Sequence, residues 1–314
     1  MKKVRLIILM LILPNMFIGF ISCKKDSING NADVTRISKI KLAWTRKFND
    51  YWVIADINYV NSKISSIDLY QNSRNSNPET LSEYQYSNEL FTEYDYGNEQ
   101  ILGKETFAFN GTKIIRWLNE YNINDQFVPL EEIQYEYENA NLISFSHHIG
   151  ETLIPYKLHI LSYEDTKIKN LKAFYTMDGK TDLDYECIYT YQDTNLSYID
   201  RKNYLPVGNF RYAFGYEGSR ITKIIKQFTD NPERDLLNLF EFTYDESGRI
   251  RKIKYNSGIE DSENVDSSAQ WDFEYENGKS NIELDVHKIL WRIMDIDEFF
   301  PEKILNDFFS IYPE

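Results

Sequence analysis

Along most of the chain apolar and polar residues alternate with period two, and aromatic residues recur in a fixed frame. The unit is an aromatic, any residue, an aromatic, a short polar gap, then an aliphatic. It reads Tyr94-Asp95-Tyr96 with Ile101, Phe107-Ala108-Phe109 with Ile114, and Tyr135-Glu136-Tyr137 with Leu142. It returns as Tyr189-Thr190-Tyr191 with Leu196 and Phe214-Gly215-Tyr216 with Ile221. Looser copies are Ile57-Asn58-Tyr59 with Ile64, Tyr84-Gln85-Tyr86 with Leu90, and Leu161-Ser162-Tyr163 with Ile168. Phe242-Thr243-Tyr244 with Ile250 has one extra residue in the gap, and Phe273-Glu274-Tyr275 is a last, degraded copy. The second aromatics Tyr137, Tyr163, Tyr191, Tyr216, Tyr244 and Tyr275 lie 25 to 31 residues apart.

This unit predicts a β-hairpin. Aromatics at i and i+2 share one face of a strand, and the residue between them faces the other way. The gaps hold Asn139-Ala140-Asn141, Glu217-Gly218-Ser219, Asp245-Glu246-Ser247-Gly248 and Asn110-Gly111. Asn, Asp and Gly accept the positive φ values of tight turns. The aliphatic opens the return strand, and three residues later a second core-type residue follows: Ile67, Trp117, Phe145, Leu171, Ile199, Ile224 or Ile253. Eight or nine such hairpins make roughly 16 to 18 strands and, at ~4.8 Å each, a sheet about 80 Å wide. An aromatic face of that size has to be buried. The expected fold is therefore all-β: a long antiparallel meander of repeated hairpins over 39–284, curled into a roll or incomplete barrel. A wide circular barrel would leave an open lumen, which favours a flattened or spiral roll. A membrane-spanning barrel would need an uncharged outer band, so the face rich in Glu, Asp and Lys would have to line its pore. In the tail, Val286, Ile289, Leu290, Ile293 and Met294 fall at helical spacing, and Ile304, Leu305, Phe308 and Phe309 follow Pro301. This predicts a short C-terminal helical cap over 285–314.

The stretch Phe242-Thr243-Tyr244-Asp245-Glu246-Ser247-Gly248-Arg249-Ile250 resembles an RHS/YD repeat, in which Tyr-Asp, a polar turn with Gly, Arg and an aliphatic recur in order. The chain as a whole resembles a class of Bacteroidetes lipoproteins with such hairpins and an apolar tail. The resemblance implies a long antiparallel sheet that curls into a shell, and it implies no catalytic function.

The front of the chain adds an address. Lys2, Lys3 and Arg5 precede an apolar run from Leu6 to Ile21, which predicts a secretory signal over 1–22. The run contains Pro14 and Asn15 and is shorter than the ~20 residues a membrane-spanning helix needs. Phe20-Ile21-Ser22-Cys23 resembles the lipobox of bacterial lipoproteins, which implies lipidation of Cys23 and a stable anchor through two or more acyl chains. Lys24-Lys25-Asp26 is similar to the start of the tethers of Bacteroidetes surface lipoproteins. The implied location is the cell envelope, lipid-anchored to the outer membrane on either side, with 23–38 as the tether.

Charge narrows the partners. Three of the 35 Lys and Arg lie in the signal and none of the 49 Asp and Glu does, so the chain from Cys23 onward carries −17. That repels phosphate backbones and argues against nucleic acid. It also leaves membrane attachment to the lipid on Cys23 rather than to a basic face. Cys187 is the one other cysteine, within the strand-like Tyr185-Glu186-Cys187-Ile188-Tyr189, and reads as a small buried hydrophobe.

Candidate chemistry is sparse. His147 and His148 are adjacent on a strand and point to opposite faces, while His159 and His287 have no ligand-spaced partner, so no metal is expected. Asp178-Gly179-Lys180-Thr181 echoes the end of a P-loop, but Phe174 stands where its first glycine should be. Asp261, Glu263 and Asp266 lack the spacing and glycine of a calcium loop. No nucleophile, zinc or redox motif occurs, so no catalytic residue and no cofactor is named and the chain is read as a non-enzyme. Aromatics make up 15 % of it, which offers tyrosine and tryptophan for sugar stacking, with Trp44, Trp52 and Trp117 as the speculative binding residues. The expected function is a non-catalytic envelope lipoprotein that binds a ligand or partner, such as a glycan or an envelope protein, or serves as a structural module. The alternative is a polysaccharide hydrolase with a carboxylate pair, which needs two close acids beside exposed aromatics.

Overall fold

The computed structural model describes residues 35–284, except 47–48, 72–78, 88, 98–99, 112, 152, 178, 205–207, 230–235, 258–266 and 281, together with 309–311. The first nine strands are β1 (Thr35–Arg46), β2 (Asn49–Val60), β3 (Lys63–Gln71), β4 (Glu79–Ser87), β5 (Leu90–Gly97), β6 (Gln100–Asn110), β7 (Lys113–Ile123), β8 (Gln126–Glu138) and β9 (Asn141–Ile149). The next nine are β10 (Ile154–Glu164), β11 (Lys167–Met177), β12 (Lys180–Gln192), β13 (Asn195–Asn203), β14 (Phe210–Glu217), β15 (Arg220–Phe228), β16 (Leu236–Tyr244), β17 (Ile250–Ser257) and β18 (Ser267–Asn277). All eighteen belong to one antiparallel sheet in which each strand pairs with the next in sequence. The first strand also pairs with the last, from Thr35↔Asn277 to Arg46↔Ser267. The sheet is thus a closed barrel, where the sequence predicts a roll or an incomplete one. Closure removes both edges, which in an open sheet of this width would be templates for aggregation.

The closure reuses the repeat. In the β8/β9 hairpin Tyr137 faces Leu142, and the register slips by one between Glu136 and Tyr137. The same slip precedes Tyr59, Phe109, Tyr163, Tyr191, Tyr216 and Tyr244. Each is a β-bulge that puts two residues of the return strand opposite one of its partner. Residues i and i+3 of a regular strand face opposite ways, and the bulge returns both to one face. This is why the aliphatic and the core residue three positions later are both buried, as with Leu142 at 0 % and Phe145 at 1 % exposure. The β18/β1 seam has the same register: Tyr275 faces Ile37, Glu274 faces Lys39, and the slip falls in between. Arg36-Ile37 with Ile40 is therefore the return half that the degraded copy Phe273-Glu274-Tyr275 lacks. The ninth hairpin is split between the two ends of the described chain. The strand begins at Thr35 rather than after the expected tether boundary at 38, and Ile37 is core.

A ring of tyrosines joins hairpin to hairpin. The hydroxyls of Tyr59, Tyr86, Tyr137, Tyr163, Tyr216, Tyr244 and Tyr275 donate to the backbone carbonyls of Ile37, Ile64, Ile114, Leu142, Leu196, Ile221 and Ile250 at 2.6–3.1 Å. Each acceptor is the aliphatic that opens the preceding return strand. The basic residue just before that aliphatic covers the same tyrosine ring: Arg36 over Tyr59, Lys113 over Tyr137 and Arg249 over Tyr275 lie 4.1–4.9 Å from the centroid. Burial pushes the phenols of Tyr59, Tyr137 and Tyr216 up to about 12. In the eighth hairpin Asp245 accepts from the Arg249 backbone N–H at 2.9 Å and from its Nε at 2.7 Å, and Arg249 also donates to Thr35 Oγ1 at 2.9 Å across the seam. Gly248 has φ +81° and lies under Arg220, whose Nη2 would stand 2.3 Å from a Cβ there.

The two faces differ in kind. Ile40, Ile67, Ile133, Leu171, Ile224, Ile253 and Trp271 on one face are at 0 % exposure. No second layer among the described residues covers the outside of this single sheet, so the buried face is the inner one. Around these residues the inner side chains pack against one another instead of lining an aqueous channel. The outer face is charged. Lys39/Asp56, Lys104/Glu120, Lys172/Glu186, Arg211/Asp200 and Lys252/Asp272 are directly opposite across neighbouring strands and pair at 2.6–3.6 Å. Each exposed pair contributes little, about 0–1 kcal/mol, and they share the outer face with exposed apolar residues such as Leu102, Ile115, Leu158, Ile160 and Ile188.

Two expectations shift. Tyr94-Asp95-Tyr96 with Ile101 forms a hairpin, β5/β6, but at the opposite end of the barrel from the tyrosine ring. Alternation there puts Glu93 and Asp95 inward, and Tyr96 instead donates to the exposed Glu83 at 2.9 Å. The helical cap over 285–314 lies mostly outside the described residues. Its last part is not helical: β20 (Phe309–Ile311) pairs with β19 (Ile282–Leu284) in a small antiparallel ladder.

Candidate functional site

The inner face is apolar near the tyrosine ring, but part of the wall turns polar towards the other end. Two groups stand out there because ionisable side chains are rarely this buried.

The first group lies on β4–β7. Glu93 on β5 is directly opposite Tyr84 on β4 and Glu105 on β6. Glu93 is 6 % exposed and accepts from the Tyr84 hydroxyl at 3.0 Å. Glu105 accepts from Trp117 Nε1 at 2.9 Å. Burial, and then the charges of Asp95 and Glu105, hold the Glu93 carboxyl well above the usual range, against hydrogen bonds from Ser82 and Tyr84. The like-charged neighbours make it costly to ionise Glu93. Two carboxyls are thus juxtaposed, as a glycosidase would need. Their aromatic companions Tyr84 and Trp117, however, are at 8 % and 5 % exposure and belong to the core.

The second group lies on β8–β13. His147 on β9 and His159 on β10 are at 0 % and 2 % exposure, with ring centroids 5.1 Å apart. Phe145 stacks on His159 at 4.1 Å and meets His147 edge-on at 5.7 Å. His147 Nδ1 lies 3.3 Å from Glu131 Oε1, which also accepts from Tyr156 at 3.3 Å. His159 Nε2 lies 3.2 Å from the Tyr185 hydroxyl. Burial, then Lys157 and His148, lower the His147 pKa to about 3. Burial, then His147 and Lys157, push His159 well below its usual value. Both rings are therefore neutral, and the His147–Glu131 contact is a hydrogen bond rather than an ion pair. The remaining nitrogens, His147 Nε2 and His159 Nδ1, are buried with no hydrogen-bond partner. Around them Lys157 pairs with Asp184 at 3.1 Å, and Arg201 lies 3.9 Å over the Tyr185 ring.

Of the residues singled out in the sequence, Trp117 is core rather than an exposed sugar platform. Trp44 and Trp52 lie on β1 and β2, and their side chains fall outside the described residues, as do Cys23, His287 and the loop with Asp261, Glu263 and Asp266. Cys187 is at 0 % exposure, and burial pushes its thiol up to about 12. Gly179 has φ +75° in the β11/β12 turn, where Met177 faces Lys180, so that stretch is a hairpin turn. His147 and His148 do face opposite ways: His148 Nδ1 lies 3.2 Å from the Leu153 carbonyl oxygen. The proximity of His159 to His147, and of Glu93 to Glu105, escapes linear reading because strand register creates it. Among the described residues no group of three or more His, Cys, Asp or Glu could hold a metal ion.

No protein-family model and no curated protein matches the chain. One similar solved chain is the TcdB2-TccC3 structure, with TM-score 0.33 and 11 % identity over 76 % of this chain and 15 % of that one. The chain is also similar to two porin-like proteins. That of Bacteroides uniformis ATCC 8492 has TM-score 0.42 and 12 % identity over 76 % of this chain and 98 % of that one; that of Bacteroides vulgatus ATCC 8482 has TM-score 0.40 and 8 % identity over 67 % and 98 %.

Proposed function

We propose that this chain is a non-catalytic cell-envelope lipoprotein whose closed barrel serves as a rigid binding or structural module, held at the outer membrane by lipid on Cys23. The observation that carries the reading is the polarity of the wall: around the tyrosine ring its inner face is core, and its outer face, although it exposes Leu158, Ile160 and Ile188, is laced with ion pairs. A lipid-spanning barrel needs the reverse, an apolar outer band ~25 Å tall around a polar interior. Charged side chains near the bilayer midplane cost about 2–4 kcal/mol each for Arg and Lys, and several rows of them favour water over lipid. Cys23 at the end of a short apolar run supplies the anchor the wall does not.

Fractionation of full chain expressed in an envelope-bearing bacterium tests this. The wild type should partition with membranes and yield a diacylated N-terminal peptide at Cys23 by mass spectrometry. Cys23→Ala should move to the soluble fraction and stay folded without detergent. A Cys23→Ala protein that still requires detergent and conducts ions across planar bilayers would establish a pore instead.

A further inference from the structure

Large apolar side chains stand in water at mid-strand positions of the outer wall on one stretch of the sheet. Leu158 and Ile160 on β10, Ile188 on β12 and Tyr198 on β13 are 37–49 % exposed. Every other exposed large apolar residue among the described ones lies within three residues of a strand end or at a bulge. Alternation turns these four outward, because the residues flanking them along the strands include core positions. Phe174 on β11 is directly opposite Leu158, and Leu183 on β12 is opposite Phe174, which extends the apolar surface across the neighbouring strands. A contiguous apolar patch interspersed with charge marks an interaction surface.

The charges within the patch say what covers it. Lys172 on β11 lies opposite Ile160 on one side and Glu186 on the other, with its Nζ 3.6 Å from Glu186 Oε1. This pair therefore sits on the middle two of the four strands. We infer that the outer face of β10–β13 is a homodimer interface, where a second copy of this chain packs about a two-fold axis running along the strands between Lys172 and Glu186. The inference rests on the reading that the outer wall stands in water. A two-fold interface brings one surface onto itself and must be self-complementary. Here the axis sets Lys172 against the partner's Glu186 and Glu186 against the partner's Lys172, so each charge gains a second counter-ion as the apolar surfaces meet. A lipid surface fits less well, because Glu186 and Asp200, which is directly opposite Ile188, would be carried into it. Four strands at ~4.8 Å by about nine residues at ~3.3 Å give roughly 600 Å2 per copy. A standard interface buries about 800 Å2 per partner, so the dimer is a weak one, with Kd in the micromolar range. Lipid on Cys23 would confine both copies to one plane and raise their effective concentration.

The test follows full-length Cys23→Ala chain without detergent by sedimentation velocity over about 1–200 μM, the range of a weak interface. Sedimentation should shift from monomer to dimer with concentration. Ile160→Lys and Ile188→Lys, both at exposed positions, should each raise Kd at least about tenfold while the monomer melts as before. Lys172→Glu and Glu186→Lys should each stay monomeric alone, since like charges then face each other across the axis. An equimolar mixture of these two variants should dimerise again, because each copy supplies the charge the other needs. That rescue is a result that a role for the pair within one copy does not produce. A soluble chain that stays monomeric throughout, a dimer that survives both Ile160→Lys and Ile188→Lys, or a mixture that fails to recover overturns the interface and leaves the anchored barrel standing. Flotation of the Cys23→Ala chain with phosphatidylcholine vesicles would assign the patch to lipid and overturn the interface as well. A Cys23→Ala chain that requires detergent would take the wall out of water, and the anchored barrel and the dimer would fall together.

Discussion

Ile40→Ala tests whether the barrel closes. Ile40 sits on β1 at 0 % exposure, opposite Phe273 on one side and Ala55 on the other. Ile224 is its counterpart in the covalently continuous β14/β15 hairpin, also at 0 %, between Phe214 and Phe240. The substitution removes three carbons, about 2.4 kcal/mol at ~0.8 kcal/mol per buried methylene, before any cavity is counted. With the cavity the cost is about 2–5 kcal/mol. For a chain of this size each kcal/mol lowers Tm by roughly 2–4 °C, so a loss of about 3 kcal/mol corresponds to 6–12 °C. Melting followed by far-ultraviolet circular dichroism, with the fluorescence of the buried Trp271 as a probe near the seam, should show equal losses for Ile40→Ala and Ile224→Ala. A β1 that is only a tether would behave as surface, at less than about 0.5 kcal/mol. An Ile40→Ala protein melting within a degree or two of wild type, while Ile224→Ala falls as expected, would refute the split hairpin.

Other outcomes follow from single contacts. Tyr216→Phe deletes the hydroxyl that donates to the Leu196 carbonyl at 2.9 Å and should cost about 0.5–1.5 kcal/mol by chemical denaturation; an unchanged midpoint would mean that the ring of tyrosines is decorative. Glu93 has its folded pKa raised by burial and by Asp95 and Glu105. The folded state therefore holds this proton more tightly than the unfolded state, and stability is lost as pH rises from the unfolded pKa through the folded one. Glu93→Gln, which keeps an acceptor for Tyr84, should gain in Tm over wild type as pH is raised from 5 to 9, and a Tm difference that shrinks over that range would contradict the assignment. Cys187, with its thiol raised to about 12 by burial, should resist a thiol reagent in the native protein and react fully in denaturant; fast native labelling would show that β12 opens.

The meander of hairpins was legible because its information is local. Aromatic pairs at i and i+2 mark one face, Asn, Asp and Gly mark the turns, and the core residue three positions after the aliphatic records a bulge at each turn. The same marks were present in Arg36-Ile37 with Ile40, but their partner Tyr275 lies 238 residues away and nothing in the local pattern pairs them. Tyr94 and Tyr96 carried the right motif at the wrong end, because spacing identifies a hairpin without saying which face its aromatics take. Only tertiary register could bring Glu93 beside Glu105 or His147 within 5.1 Å of His159. The physical reason is that sequence period sets which way a side chain points. Which side chain it then meets is set by pairing between strands, and on a closed sheet that depends on the last strand finding the first.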